Sequence, residues 1–398
     1  MIRRVLLAGV AALALAGGPA CAAEEATPVG WGESRSAMPF DIIRSLQFLQ
    51  DQVARGNDRA IRVQALLLRR YGPVFLAAEA DVWEDPRNRR AAVLFVLSGG
   101  PPAVLEGLLS AGVLPQEQRP LFAGALAYVR NDLRQAADLL SGVDLEALEP
   151  GLAAHVHLVL GQILQTEDPA GAAAHLDRAR LLAPGGLIEE AALRLETMLV
   201  EGLGDPQGAD RLARQYFDRY SRSSYAANFE ARFAAIFSAR GAGGDAAATM
   251  AAMRDVAGGL PADRRARLFL TVGRRALVEG RLDFAGLASA EALALDTLPA
   301  DDAERARLYE LAARLGTQPP ADAAVALAAI DRNRLHPEDL GLLEAAEQIV
   351  AVIDSPPAAP ARIAEAPDPA ETLPRSPVLD RAERALGRVS ADLGTQTP

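Results

Sequence analysis

The 398-residue chain contains no lysine; all 41 of its basic residues are arginine. It has one cysteine, Cys21, and four histidines, and only 5% of its residues are aromatic. Each shortage excludes some chemistry. Without lysine there is no P-loop lysine, no Schiff base and no Ser-x-x-Lys acyl transfer. One cysteine closes no internal disulfide and builds no cysteine-based zinc site. With half of the residues apolar but so few rings, the core must be built mainly of Ala, Leu and Val. Beyond the first 23 residues no stretch reaches 18 apolar residues without charge, so no transmembrane helix is expected. A formal charge of −11 argues against nucleic acid, whose binding rests on neutralised phosphates. No Gly-x-Ser-x-Gly elbow, EF-hand loop or Gly-x-Gly-x-x-Gly following a strand is present. No catalytic residue, cofactor, metal ion or small-molecule substrate is therefore expected.

What is present begins with a targeting signal. Arg3 and Arg4 precede a twelve-residue apolar stretch, Val5 to Ala16, too short to span a bilayer. Ala20-Cys21-Ala22 gives the small-x-small pattern for cleavage after Ala22, and a cut after Ala23 fits nearly as well. Residues 1–23 are read as a secretory signal peptide that directs the chain to the periplasm. A lipid anchor on Cys21 fits less well, because Gly18-Pro19-Ala20 lacks the usual upstream leucine. Cleavage removes two arginines and the only cysteine, leaving the mature chain at −13. A cysteine-free protein suits an oxidising compartment.

The body is an all-α pattern. Strand and hairpin signals are nearly absent, while apolar residues recur at helical spacing, as in Ile42, Ile43, Leu46, Leu49 and Val53. Short polar turns centre near Asn131, Asp168, Asp205, Gly243, Gly280 and Thr317, at steps of 37 or 38 residues. A second set of breaks interleaves: Pro184, Ser221 to Ser224, Gly258 to Pro261, Pro299 and Arg334 to Pro337. Each unit is then two helices joined by a tight turn. The spacing predicts a right-handed helix-turn-helix solenoid of tetratricopeptide-like hairpins over 39–354. An alanine follows each turn by four or five residues: Ala136, Ala172, Ala209, Ala247, Ala285 and Ala321. Upstream, Phe40 to Tyr71 forms a hairpin around Gly56, and Ala91 to Gly112 another around Gly99-Gly100-Pro101.

The ends differ from the body. Residues 24–38 carry no periodic pattern and are expected to be disordered. Residues 355–377 hold seven prolines and read as a linker. Val378, Leu379, Ala382, Leu386, Val389 and Leu393 then share one face of an amphipathic helix over 378–394. That helix either caps the array or enters a partner's groove.

Two clusters stand out within the body. His155 and His157 lie two apart on a helix and point away from each other, so they do not share an ion; His175 lies on the next helix. All three read as structural histidines. Tyr216, Phe217, Tyr220, Tyr225, Phe229, Phe233 and Phe237 crowd into one segment of an aromatic-poor chain. One reading is a bulkier hairpin core. The other sets some rings on a partner surface with the arginines beside them. The partner-binding residues on that second reading are Tyr216, Tyr220, Tyr225, Arg219 and Arg222.

Three stretches carry a family resemblance: Phe40 to Ala60 (FDIIRSLQFLQDQVARGNDRA), Arg90 to Leu109 (RAAVLFVLSGGPPAVLEGLL) and Gly124 to Val129 (GALAYV). Together they resemble the MotC family of periplasmic motility proteins of rhizobia and related alphaproteobacteria. The plan of signal peptide, helical body and Pro-rich tail with a terminal helix is also similar. The resemblance implies a non-enzymatic protein required for flagellar rotation that acts on the periplasmic part of the stator protein MotB. It brings no catalytic residues, and it draws attention to the N-terminal segments as the recognition surface. The alternative is a generic periplasmic scaffold for envelope assembly.

Overall fold

A computed structural model describes residues 37–354. The cleavage positions Ala22 and Ala23, the 355–377 linker and the 378–394 helix lie outside them. Among the described residues there are seventeen α-helices and no strand. The N-terminal group comprises α1 (Pro39–Ala54), α2 (Asp58–Leu76), α3 (Pro86–Leu97) and α4 (Ala103–Ala111). Six hairpins follow. They are α5 (Arg119–Val129) with α6 (Leu133–Ser141), α7 (Pro150–Ile163) with α8 (Pro169–Leu182), and α9 (Leu187–Gly202) with α10 (Pro206–Tyr220). Then come α11 (Ala226–Gly243) with α12 (Ala246–Val256), α13 (Ala262–Val278) with α14 (Leu282–Ala294), and α15 (Ala300–Ala313) with α16 (Pro320–Ala328). The last helix is α17 (Pro337–Asp354). No helix of the described residues is long and apolar enough to cross a membrane.

Local chemistry sets these boundaries. Asp132, Asp168, Asp205 and Asp245 each stand at the N-cap of a hairpin's second helix, and each carboxylate accepts a backbone N–H from the first turn. Each such cap contributes about 1 kcal/mol. Proline in the first turn starts α1, α3, α7, α8, α10 and α16, where its missing N–H costs nothing. Of the six evenly spaced turns expected from sequence, five centres fall between helices, and the sixth, Gly243, is the last residue of α11.

Within a hairpin the two helices cross closely where a glycine faces a bulkier residue. A Cβ on Gly124 would meet Leu140 at 2.7 Å, and one on Gly161 would meet Leu176 at 2.6 Å. Ala136, Ala172, Ala209 and Ala285 are buried at the matching place on the second helix. Ala247 and Ala321 are exposed instead, because α12 turns Met250 and Met253 inward and α16 turns Ala323 inward. In the last hairpin the buried small residue lies four positions after the cap at Pro319, so counting from Thr317 chose the wrong alanine.

Successive hairpins bury their apolar faces on one another, with α8 on α9 and α14 on α15. The N-terminal hairpin breaks this one-dimensional order. α1 packs on α3 and also on α9, far along the chain. Its end is tied down there: the Ser224 N–H donates to the Val53 carbonyl at 3.2 Å, and Ala54 joins the aromatic core that contains Tyr216 and Phe229. Gly56 makes this approach feasible. It has φ of +91°, and a Cβ there would collide with the Arg222 carbonyl oxygen.

Candidate interaction surface

The aromatic segment is core. On α10, residues four apart share a face, and that face turns inward. Tyr216 and Phe217 are fully buried, and Tyr220 is 3% exposed. Tyr216 stacks on Phe229 with centroids 3.9 Å apart, and Phe217 meets Phe233 edge-on at 5.0 Å. The expected placement of Tyr216 and Tyr220 on a partner surface is corrected by these positions. Tyr225 is half-buried, 5.3 Å beneath the Arg194 guanidinium. Of the five proposed residues, only Arg219 and Arg222 lie on the surface.

The tyrosines are held inside by buried acids that no local sequence signal pairs with them. Glu189 and Glu190, in the first turn of α9, are 1% and 0% exposed. The Tyr216 hydroxyl donates to Glu190 at 2.7 Å, and the Tyr220 hydroxyl donates to Glu189 at 2.7 Å. Glu189 also accepts from Gln215 at 3.0 Å and pairs with Arg219 at 2.6 Å. Burial, reinforced by the neighbouring carboxylates, pushes both phenols well above their ordinary range, so they remain donors. Arg219 is therefore spoken for, and Arg214 pairs with Asp255.

Other polar clusters also find partners within the fold. A cleft of about 420 Å³ between α8, α9 and α10 is lined by Asp177, Arg180, Glu196, Asp205, Arg211 and Gln215. Arg180 bridges Asp177 and Glu196 across it. Burial, only partly offset by Arg180, pushes Glu196 up to about 7. Asp339, fully buried at the start of α17, accepts from Tyr309 at 2.7 Å and pairs with Arg305 at 2.7 Å. Burial alone would raise its carboxyl, but the hydrogen bonds from Tyr309 and Arg305 outweigh it and hold it low. His155 bonds the Gly151 carbonyl, whereas His157 and His175 meet Nδ1 to Nδ1 at 2.8 Å. No cluster of three or more metal-ligating side chains occurs among the described residues.

One face is different. On α2, Ala60, Leu68, Gly72 and Phe75 are buried, and the opposite side is open. That side carries Arg59, Arg62 and Arg70 among Val63, Leu66 and Val74, with Leu66 58% exposed. None of these arginines has an ion-pair partner among the described residues, whereas most arginines of α10 and the later helices do. The α1–α2 hairpin has six arginines against Asp41, Asp51 and Asp58, a positive patch on a chain of net −11. This face was not singled out from sequence. The signal was there: four arginines and one acid between Asp58 and Arg70, interleaved with aliphatics.

Among the described residues, the fold and this surface define an all-α array of helical hairpins with many internally paired charges and an unpaired cationic face on α2. A family model described as "Chemotaxis protein MotC" matches residues 1–396. The chain belongs to the MotC family. A protein of Rhizobium meliloti (strain 1021) named Chemotaxis protein MotC is 32% identical over 357 residues, which cover 86% of this chain and 81% of that protein. No solved structure matches. The three stretches that carried the resemblance fall in α1 and the first residues of α2, in α3 and α4, and in α5, and much of them is core: Ala91 to Val96 are at most 2% exposed.

Proposed function

We propose that the chain is a non-enzymatic motility protein of the periplasm, exported by its N-terminal signal, and that it serves flagellar rotation by binding the periplasmic part of the stator protein MotB. The observation that carries this reading is the MotC match along nearly the whole chain. The architecture supports it: an array of hairpins offers extended surface, and Glu189, Glu190, His157 and His175 are engaged in internal bonds. In a deletion strain, swimming should be lost and restored by the full-length gene. The purified mature chain should bind the isolated periplasmic part of MotB. Normal swimming by the deletion strain would overturn the motility role. Absence of binding with swimming lost would overturn the MotB step alone.

A further inference from the structure

We infer that the outer face of α2 is the recognition surface of this protein, and that it takes a segment of a partner protein carrying carboxylates interleaved with aliphatic side chains. The inference rests on the motility reading above and names the surface it uses.

Arg59, Arg62, Val63, Leu66, Arg70 and Val74 recur at three- and four-residue spacing and share one side of α2. Leu66 is 58% exposed and Val63 47%. The buried side of the same helix already packs on α1 and α4. The outer side is therefore not a misplaced core face. Its apolar groups stand in water although α2 has a complete core stripe without them. Among the described residues its guanidiniums have no carboxylate partner, in a chain where acids outnumber bases.

Charge complementarity selects the occupant. Free arginines set among aliphatic contacts are the composition of a protein interface, where each guanidinium meets a carboxylate in a bidentate pair. A bilayer suits it poorly. A helix lying in a lipid surface presents a continuous apolar stripe with cations at its flanks, whereas here arginine and aliphatic residues alternate. A second copy in a symmetric dimer would set this cationic face against itself, which costs energy at every close pair.

The test uses the full mature chain and, as probe, the purified periplasmic part of MotB. Two variants are compared with wild type: Arg59→Glu/Arg62→Glu/Arg70→Glu, and Leu66→Asp. Both should keep wild-type helical content and melting temperature, because every altered side chain is exposed. Each should weaken binding about tenfold or more, and the wild-type affinity should fall as salt rises. Wild-type binding with both variants unchanged would overturn the inference and leave the motility reading standing. No wild-type binding would overturn both the MotB step and this use of the face. Sedimentation of the wild type, but not the variants, with phosphatidylglycerol vesicles, or a dimer that the variants dissolve, would assign the face to a membrane or to a second copy and so overturn it.

Discussion

α2 and α10 are both arginine-bearing helices with large apolar residues, yet they use them in opposite ways. On α10, Tyr216, Phe217 and Tyr220 go inward, and Arg214 and Arg219 bind carboxylates. On α2, Val63 and Leu66 go outward, and Arg59, Arg62 and Arg70 bind none among the described residues. Aromatics with arginines in a sequence suggest an interface, but the structure spends them on a core. The pairing state of the charges separates the two cases. A guanidinium already holding a buried carboxylate contributes little further affinity to a partner, because its bonds are made before the partner arrives.

The sharpest way to break this comparison is Tyr216→Ala. If α10 is core, truncation should cost about 3–5 kcal/mol, read by denaturant unfolding. Tyr216→Phe keeps the ring but removes the hydrogen bond to Glu190, which then faces only Arg194 at 3.4 Å, and should cost about 1–3 kcal/mol. A loss below 0.5 kcal/mol in both, judged against the usual range for surface changes, would return α10 to the surface. Next comes Asp339→Ala, which strips Tyr309 of its acceptor and leaves Arg305 with Asp302 alone, and should cost roughly 3 kcal/mol. Unchanged stability would show that the α17 anchor is not needed.

A pH series offers a smaller effect. Burial first, then the proximity of His175 and Arg178, lowers His157 from 6.5 to about 4, while nearby Glu146 opposes the shift. A histidine kept neutral in the fold contributes stability that is complete above pH 6.5 and is lost as pH falls from 6.5 toward 4. His157→Gln should flatten that part of the melting-temperature profile relative to wild type. Parallel profiles would contradict it. The smallest effect belongs to α2: Arg59→Ala, Arg62→Ala and Arg70→Ala should each leave stability within about 0.5 kcal/mol of wild type, since no bond is lost. A larger loss would mean that these arginines serve the fold.

Much of the array was legible in the sequence because turns are local. An aspartate that caps its own helix, as at Asp132 or Asp205, announces the boundary within three residues. The closure of α1 onto α9 was not legible. Val53 and Gly56 lie far from Arg222 in the chain, and nothing near Gly56 states that a carbonyl will fill the space its missing Cβ leaves. The direction of the tyrosines was hidden for the same reason. Periodicity placed them on one face, but Glu189 and Glu190, which draw that face inward, stand 26 to 31 residues away. The family wording lies at the same end of the molecule as α2, but much of it falls on core stretches such as Ala91 to Val96.

The measurement closest to the central claim is swimming. A strain carrying Arg59→Glu/Arg62→Glu/Arg70→Glu in place of the wild-type gene should lose motility while holding the variant at wild-type level, and a strain carrying Tyr225→Phe should swim. Full motility of the triple variant would contradict recognition through α2.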